Sequence, residues 1–289
     1  MKICFPKFSN QRYYPLHFSH CLALFKELGW PVEEYVDPTG ERGCFKMYVD
    51  GVEVMVDFSD YGCEYVGPLP TLRFHKKRDQ TEPNIYSFPQ CSFWDWAEYR
   101  EFEQQIKYTA TGLVMNNQRS ANNNVARRDK VRRIVENWSS QFKQPDSQGF
   151  GRSANGLPLK CADTAWHNNK RKYWSTLNHC LVSIHVPGQN NNMLDSAQVQ
   201  LMGFGVCTIS PDLPEILPFD KTLVPGMHYV KCANDYSDLV EQIEWCRSHR
   251  EECMQIGRQA KQLFQETLTP QALSAWLPQA MERVKDGRS

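Results

Sequence analysis

Residues 180–210, "CLVSIHVPGQNNNMLDSAQVQLMGFGVCTIS", decide the fold class, because they run in the order strand, polar loop, helix and strand. The first apolar run breaks at Pro187, and a run of Gln and Asn follows it. A helical pattern opens behind Asp195 and Ser196 and ends at Gly203 and Gly205. The apolar run "VCTIS" predicts the second strand. This order is typical of a βαβ unit in an open α/β sheet.

Two interpretations of the turn before this helix are open. A helix start behind a strand gathers free backbone N–H groups and the positive end of the helix dipole, which suits a phosphate group. The alternative is an ordinary turn whose helix is capped by Asp195 or Ser196. The phosphate hypothesis takes its ligands from the loop and the helix start: Gly188, Asn190, Asn191, Asn192, Asp195 and Ser196.

The rest of the chain predicts two successive α/β units, divided near residue 107. The first unit opens as strand, loop and helix, and Asp50-Gly51 joins two further strands as a hairpin dipeptide. The second unit contains residues 180–210. Ligands of open α/β sheets bind outside the carboxyl ends of the strands, so we expect a cleft between two such units.

The composition narrows the class of protein. The chain has 33 Lys and Arg against 33 Asp and Glu, so a general attraction to polyanions is not encoded. The 11 cysteines are scattered without a CxxC pair, which favours buried thiols over disulfides or zinc. The first residues, "MKICFPKFSNQRYYPL", lack the apolar run typical of a signal peptide, and no segment approaches the roughly 20 apolar residues of a membrane span. We therefore expect a soluble cytoplasmic protein.

The second half of the chain also resembles a known family. "DSAQVQLMGFGVCTISPDLPEI", followed by "LVPGMHYVKCANDYSDLVEQIEWCRSHREECMQIGRQAKQLF", resembles the C-terminal half of two-domain GT-B glycosyltransferases. The branch it is most similar to includes capsule-modifying enzymes and protein O-glucosyl or O-xylosyl transferases. The resemblance covers residues 181–264. It implies two Rossmann-like α/β domains facing a cleft, at residues 1–107 and 108–264, with a terminal helix at 265–289 returning to the N-terminal domain.

The resemblance implies a glycosyltransferase, for a hexose or a pentose. The nucleotide-sugar donor, expected to be a UDP-sugar, would bind the C-terminal domain without a metal. The acceptor would be a glycan, a small molecule or a hydroxymethylated base in DNA, as in small DNA-glucosylating enzymes of phages. "HKKRD" at residues 75–79 would supply phosphate contacts for DNA. The alternative is a non-catalytic nucleotide- or nucleic-acid-binding module on a decayed transferase fold.

One departure from the family concerns the mechanism. Many retaining GT-B enzymes carry a Glu-x7-Glu pair near this helix, and the corresponding positions here are Asn192 and Gln200. We therefore expect inversion, which requires a general base for the acceptor hydroxyl. His17 opens the first helix, and Asp57 and Asp60 follow a predicted strand. These three are the predicted base candidates.

Four further residues complete the predicted site. Arg119 follows another strand and would neutralise the leaving diphosphate. The resemblance places Glu215 near donor hydroxyls, and Lys170 is a lesser donor-binding candidate. Gln200 is included as the amide at the second position of the missing acidic pair. The alternative for Glu215 is a loop-capping role.

Overall fold

A computed structural model describes most of the chain. It covers residues 1–7, 15–36, 44–58, 67–74, 76–90, 93, 95–105, 112–117, 125–140, 159–162, 174, 177, 180–187 and 194–286. The fold is mixed α/β, as the sequence predicts. That it consists of two Rossmann-like domains of GT-B type stays a prediction.

The secondary structure alternates between strands and helices. The strands are β1 (Ile3–Lys7), β2 (Val32–Val36), β3 (Cys44–Val49), β4 (Val52–Asp57), β5 (Thr71–Arg73), β6 (Ile85–Ser87), β7 (Gly112–Asn117), β8 (Leu159–Ala162), β9 (Cys180–Ile184), β10 (Cys207–Ser210), β11 (Ile216–Leu217), β12 (Lys221–Thr222) and β13 (Val230–Lys231). The helices are α1 (Pro15–Glu27), α2 (Trp96–Gln105), α3 (Val125–Ser140), α4 (Ser196–Phe204), α5 (Leu239–Ser248), α6 (Arg250–Thr267) and α7 (Pro270–Lys285), with a 3-10 turn at Pro218–Asp220.

The chain divides into two compact units. Unit 1 consists of three segments, Met1–Tyr99, Pro214–Thr222 and Gln265–Ser289. Unit 2 consists of Arg100–Leu213 and Leu223–Phe264. The chain therefore returns twice to unit 1 after leaving it, first with the β11–β12 hairpin and then with α7.

Unit 1 contains a mixed six-stranded sheet in the order β2-β1-β3-β4-β5-β6. β3 runs antiparallel to both β1 and β4, whereas β4, β5 and β6 are mutually parallel. The predicted hairpin is confirmed: Asp50 and Gly51 join β3 to β4 with φ values of 48° and 83°. Two consecutive positive φ values produce the turn that matches the right-handed twist of paired strands.

A chain of aromatic rings crosses the core of unit 1. Neighbouring ring centroids lie 4.9–6.0 Å apart along the series Phe5, Phe45, Phe58, Phe74, Phe88 and Trp276. The phenylalanines lie on the strands or directly after them, and Trp276 belongs to α7. Helix α7 also contacts α1 and the 3-10 turn. The terminal helix is thus part of the core of unit 1.

Unit 2 contains a parallel five-stranded sheet in the order β13-β10-β9-β7-β8. Its core consists of apolar side chains of the sheet and of α3, α5 and α6, among them Val131, Val135, Leu181, Ile184, Ile209, Ile243 and Ile256. In a parallel sheet all carboxyl ends lie at one edge, so the segments that follow β9 and β10 start close together.

The cysteines and helices of the described residues can be compared with the expectations from the composition. Eight cysteines there are free thiols, and seven of these are buried, which confirms the prediction of buried thiols for this part of the chain. No described helix combines the length and the apolar character that crossing a membrane requires.

Candidate functional site

Several buried polar side chains of unit 2 lie at the carboxyl edge of its parallel sheet. β9 ends at Ile184 and β10 ends at Ser210, and α4 begins after a connection that leaves the same edge. Ser183, His185 and Ser210 are all at most 1% exposed although each carries a polar group. Buried polar side chains need partners, so their contacts define the site.

Asp195 caps α4 with its side chain. Its Oδ1 accepts hydrogen bonds from the backbone N–H groups of Ala197 and Gln198, each at 3.0 Å. Gly205 ends the helix with a φ of 74°, as the sequence predicts. The capping interpretation of the turn is therefore what the structure shows at Asp195. Two of the N–H groups considered for a phosphate are engaged by this carboxylate.

His185 connects the cap to the two central strands. Its Nε2 lies 3.3 Å from Oδ1 of Asp195, and its Nδ1 lies 3.0 Å from the Ser210 hydroxyl. Its backbone carbonyl accepts a hydrogen bond of 2.8 Å from the hydroxyl of Tyr236. The start of α4 and the ends of β9 and β10 are thus joined through one imidazole.

Two arginines in the first turn of α3 contribute positive charge. Arg127 donates to the carbonyl oxygen of Asn234 at 2.6 Å, and its guanidinium lies 5.2 Å from the centre of the Tyr236 ring. The side chain of Arg128 is buried, and burial lowers its pKa while attraction to Asp195 and Tyr236 opposes that change. The sequence patterns did not select either arginine as a site residue.

The charge of Asp195 is stabilised by these neighbours. Burial raises the pKa of its carboxyl, but attraction to His185, the hydrogen bond from the Gln198 N–H and attraction to Arg128 outweigh burial. The net result is a pKa below the ordinary value. Burial likewise raises the pKa of the Tyr236 phenol, which keeps it protonated. The Asp195 carboxylate therefore lies among several donors and two guanidinium groups.

Two buried polar side chains of this edge have no hydrogen-bond partner among the residues that the structure describes. They are the hydroxyl of Ser183 and the amide of Gln198, whose Oε1 and Nε2 are both unsatisfied. Gln198 lies in the first turn of α4 and is 0% exposed. An unsatisfied buried amide costs about 1–3 kcal/mol, so a partner in a bound molecule or in the rest of the chain is expected.

The predicted base candidates lie in unit 1. Asp57 ends β4 as predicted, but it is fully buried and its carboxylate lies 2.8 Å from the guanidinium of Arg73. His17 lies in α1, and its side chain is outside the described residues. Asp60 is also outside them.

The structure describes only part of the predicted donor site. Gln200 is buried and its Oε1 accepts a hydrogen bond of 3.1 Å from the indole of Trp174, inside unit 2. Glu215 is buried in unit 1, where its backbone pairs with Lys77. Ser196 begins α4 beside its cap. The remaining predicted residues are outside the described part of the chain: Arg119, Lys170, Gly188, Asn190, Asn191 and Asn192.

Sequence reasoning missed His185, Ser210 and Tyr236 in this cluster. The sequence held an indication of two of them. His185 follows the apolar strand β9 and Ser210 ends the apolar strand β10, and the carboxyl ends of these parallel strands lie side by side. Tyr236 carried no such signal. Within the described residues, no group of three His, Cys, Asp or Glu side chains is arranged to hold a metal ion.

Comparison with known proteins supports a glycosyltransferase. The model of glycosyl transferase family 90 matches residues 215–282, from β11 into α7. Protein O-glucosyltransferase 3 from Homo sapiens is 26% identical over 81 residues, which are 28% of this chain and 16% of that protein. Uncharacterized protein 179R from Invertebrate iridescent virus 6 is 34% identical over 67 residues, 23% of this chain and 6% of that protein. The chain thus matches only a small part of the length of these relatives.

Proposed function

We propose that this protein transfers a sugar from a UDP-sugar to a hydroxyl acceptor and that unit 2 holds the donor. The observation that carries the proposal is the buried Gln198 amide, which has no partner among the described residues at the carboxyl edge of a parallel sheet. Ligands of parallel α/β sheets bind at this edge. The match to glycosyl transferase family 90 supplies the class of reaction.

In this proposal arginine side chains, rather than the first N–H groups of α4, neutralise the charge of the diphosphate. Asp195 engages two of those groups, whereas Arg127 and Arg128 stand in the first turn of α3 at the same edge of the sheet. Guanidinium groups bind phosphate with charge-assisted hydrogen bonds. In this proposal Arg128 stabilises the leaving UDP without a metal. The loop at residues 188–194, with Arg119 and Lys170, supplies further donors.

The choice of donor and the stereochemistry rest on the resemblance. UDP is the usual nucleotide of these transferases, and one relative is named as an O-glucosyltransferase, so we choose a UDP-hexose over a UDP-pentose. Inversion is proposed because Asn192 and Gln200 replace the acidic pair of retaining enzymes. The acceptor would then lose its proton to a base from the N-terminal half. Asp57 is buried against Arg73, so His17 is the base that we test first.

Donor binding is tested with a variant that separates ligand contact from stability. Gln198→Met removes the unsatisfied amide, so the unliganded protein should melt at the same temperature or higher. In the unmodified protein UDP should raise the melting temperature. At a UDP concentration one hundred times Kd, binding stabilises the folded state by about 2.7 kcal/mol. Gln198→Met should lose most of that response. A UDP response that is unchanged in Gln198→Met would contradict the assignment.

A second pair of variants tests the arginine. Arg128→Met should weaken UDP binding, whereas Arg132→Met, on the same helix and paired with Asp129 at 2.7 Å, should not. Equal effects of the two substitutions would exclude a specific role for Arg128. Nuclear magnetic resonance of unit 2 residues during the UDP titration would locate the ligand directly.

Turnover and acceptor class are tested with a panel of hydroxyl compounds. Free glycans, small alcohols and hydroxymethylated DNA are supplied with UDP-glucose, and product formation and its anomeric configuration are measured. His17→Ala should lower turnover about 10²–10⁴-fold and leave UDP affinity unchanged. A product with the configuration of the donor would exclude inversion. UDP binding without release of UDP from any donor would favour the non-catalytic module.

A further inference from the structure

A small polar cavity lies within unit 1. It is formed where β6, the 3-10 turn and α7 meet, and its volume is about 30 Å³. A single water needs roughly 10–15 Å³ by the same measure, so the cavity admits a group of a few atoms but not a nucleoside. The side chains that matter for its chemistry are Lys76, Tyr86, Ser87, Asp220, Trp276 and Arg283.

The lining of the cavity carries more positive than negative side chains. Arg283 pairs with Asp220, with 3.2 Å between Nη1 and Oδ2. The ammonium group of Lys76 shows no hydrogen bond or ion pair with any residue that the structure describes. Burial lowers the pKa of Lys76 and repulsion from Arg283 adds to this change, whereas attraction to Asp220 and to Glu82 opposes it. Two cations thus share the cavity with one carboxylate, and an anion would relieve their repulsion.

The other polar side chains of the lining are hydrogen-bond donors. Ser87 ends β6 with a buried hydroxyl. Burial raises the pKa of the Tyr86 phenol and keeps it protonated, while Arg283 opposes this change. Lysine, arginine, serine and protonated tyrosine together form a donor set that matches the oxygens of an oxyanion.

The backbone beside the cavity is held in an unfavourable conformation. Phe219 and Asp220 have φ values of 60° and 55°, although neither is glycine. Left-handed backbone at two consecutive L residues is disfavoured by contact between Cβ and the carbonyl group. Such conformations persist where surrounding contacts impose them, and they cluster at functional sites. Asp220, one of the two residues in this conformation, is also the residue that pairs with Arg283.

We propose that this cavity binds a terminal phosphate group, with Lys76 and Arg283 as its cationic partners and Ser87 as a neutral donor. Ser87 lies on β6, Arg283 on α7 and Lys76 in the connection between β5 and β6, so the three side chains reach the cavity from different directions. A tetrahedral phosphate can accept from such directions, whereas a planar carboxylate presents its oxygens in one plane. The proposal does not rest on glycosyl transfer, because none of the cavity residues was assigned a role in that reaction.

The test uses inorganic phosphate at constant ionic strength and compares three proteins by thermal melting. Phosphate should raise the melting temperature of the unmodified chain and of Lys46→Met. Lys46 is the matched control, because it lies in unit 1 on β3 and pairs with Glu53 outside the cavity. Lys76→Met should raise the half-saturating phosphate concentration about tenfold or more. Because only the Lys76 substitution acts on this cavity, phosphate binding in unit 2 does not obscure the result.

Additional measurements separate the possible sources of the anion. Acetate at the same concentration should have no effect that depends on Lys76, and an equal effect would overturn the preference for phosphate. A short DNA duplex is tested in the same way. If its binding depends on Lys76 while inorganic phosphate has no effect, the proposal that the cavity binds a terminal phosphate group is wrong. Lys76→Arg should retain the phosphate response. Equal phosphate responses in Lys76→Met and Lys46→Met would overturn the site itself.

Discussion

At the scale of single residues, Asp57 and Arg73 form a buried ion pair in unit 1. The side chains are 0% and 2% exposed, and the carboxylate lies 2.8 Å from the guanidinium. The two residues end the neighbouring parallel strands β4 and β5 at the same register position. A buried charge needs its partner because water is excluded, so the position that the sequence selected as a base has a structural role in unit 1.

We predict that Arg73→Met lowers the free energy of unfolding by about 3–5 kcal/mol, because it leaves the Asp57 carboxylate buried without its cation. The double variant Asp57→Leu with Arg73→Met should be less destabilised than the sum of the two single variants. Urea denaturation of all four proteins measures the coupling. The exposed pair Lys2–Glu33 is the control, where Lys2→Met should have little effect on stability because water screens the pair. Additive effects of the buried substitutions would contradict the prediction.

At the scale of elements, the turn between β9 and α4 depends on the charge of one cap. Asp195 accepts from two backbone N–H groups of α4 and lies 3.3 Å from the imidazole of His185. Its pKa lies below the ordinary value, so the folded state favours the carboxylate. A depressed pKa in the folded state contributes stability above the unfolded pKa, and this stability is lost as pH falls through the folded pKa.

We predict that Asp195→Asn is destabilising at neutral pH and that its difference from the unmodified protein shrinks below about pH 4, the ordinary range of an Asp pKa. Asparagine keeps the cap but not the charge, so the substitution isolates the electrostatic contribution. Urea unfolding between about pH 7 and pH 3 measures the difference. A difference that does not change with pH would show that the charge of Asp195 has no part in stability.

Helix α6 packs directly on the end of α4. A Cβ added to Gly257 would overlap the carbonyl oxygen of Gly205 and lie 3.1 Å from the backbone nitrogen of Cys207. These are backbone atoms of a helix end and of a buried strand, which cannot rotate away as a side chain can. Glycine at position 257 therefore permits the contact between the two elements.

We predict that Gly257→Ala lowers the free energy of unfolding by about 1–3 kcal/mol, the usual range for overpacking. The sign of the change in unfolding free energy tests the contact, because Gly→Ala in a helix without such a contact stabilises the protein by about 1 kcal/mol. Arg258→Ala, at the exposed neighbouring position, should change stability by less than about 0.5 kcal/mol. Increased stability in Gly257→Ala would mean that α6 does not approach Gly205 so closely.

At the scale of the whole molecule, unit 1 is assembled from segments that are far apart in the sequence. Residues 1–99 carry its sheet, and the segments 214–222 and 265–289 complete it. Helix α7 buries Leu273, Trp276, Leu277, Ala280 and Met281 in unit 1. The Trp276 ring ends the aromatic series that begins on β1.

We predict that a chain ending at residue 269 loses the cooperative unfolding of unit 1. Burying each large apolar side chain contributes about 1.5–3 kcal/mol, so the loss of Leu273, Trp276, Leu277 and Met281 reaches the roughly 5–15 kcal/mol that stabilises a typical domain. Near-ultraviolet circular dichroism and thermal melting measure the effect. A chain ending at residue 285, after α7, is the control and should melt like the full chain. A cooperative transition of unit 1 without α7 would contradict this role of the helix.

The sequence by itself determined the features that local chemistry controls. Asp50-Gly51 predicted the hairpin, because few other dipeptides accept two positive φ values. Asp195 and Gly205 predicted both ends of α4, because a carboxylate satisfies free N–H groups and glycine accepts the left-handed cap. The candidate site was predicted only as far as the residues adjacent to this helix, Asp195 and Ser196.

Only the tertiary structure decided the contacts between distant residues. His185 and Ser210 are 25 positions apart and meet because β9 and β10 pair in parallel. Asp57 meets Arg73 for the same reason, and Lys76 shares a cavity with Arg283 because α7 returns to unit 1. No local pattern encodes these partners, since each contact depends on strand register and on the packing of whole elements. The sequence therefore indicates where strands end and helices begin, and packing selects which side chains meet there.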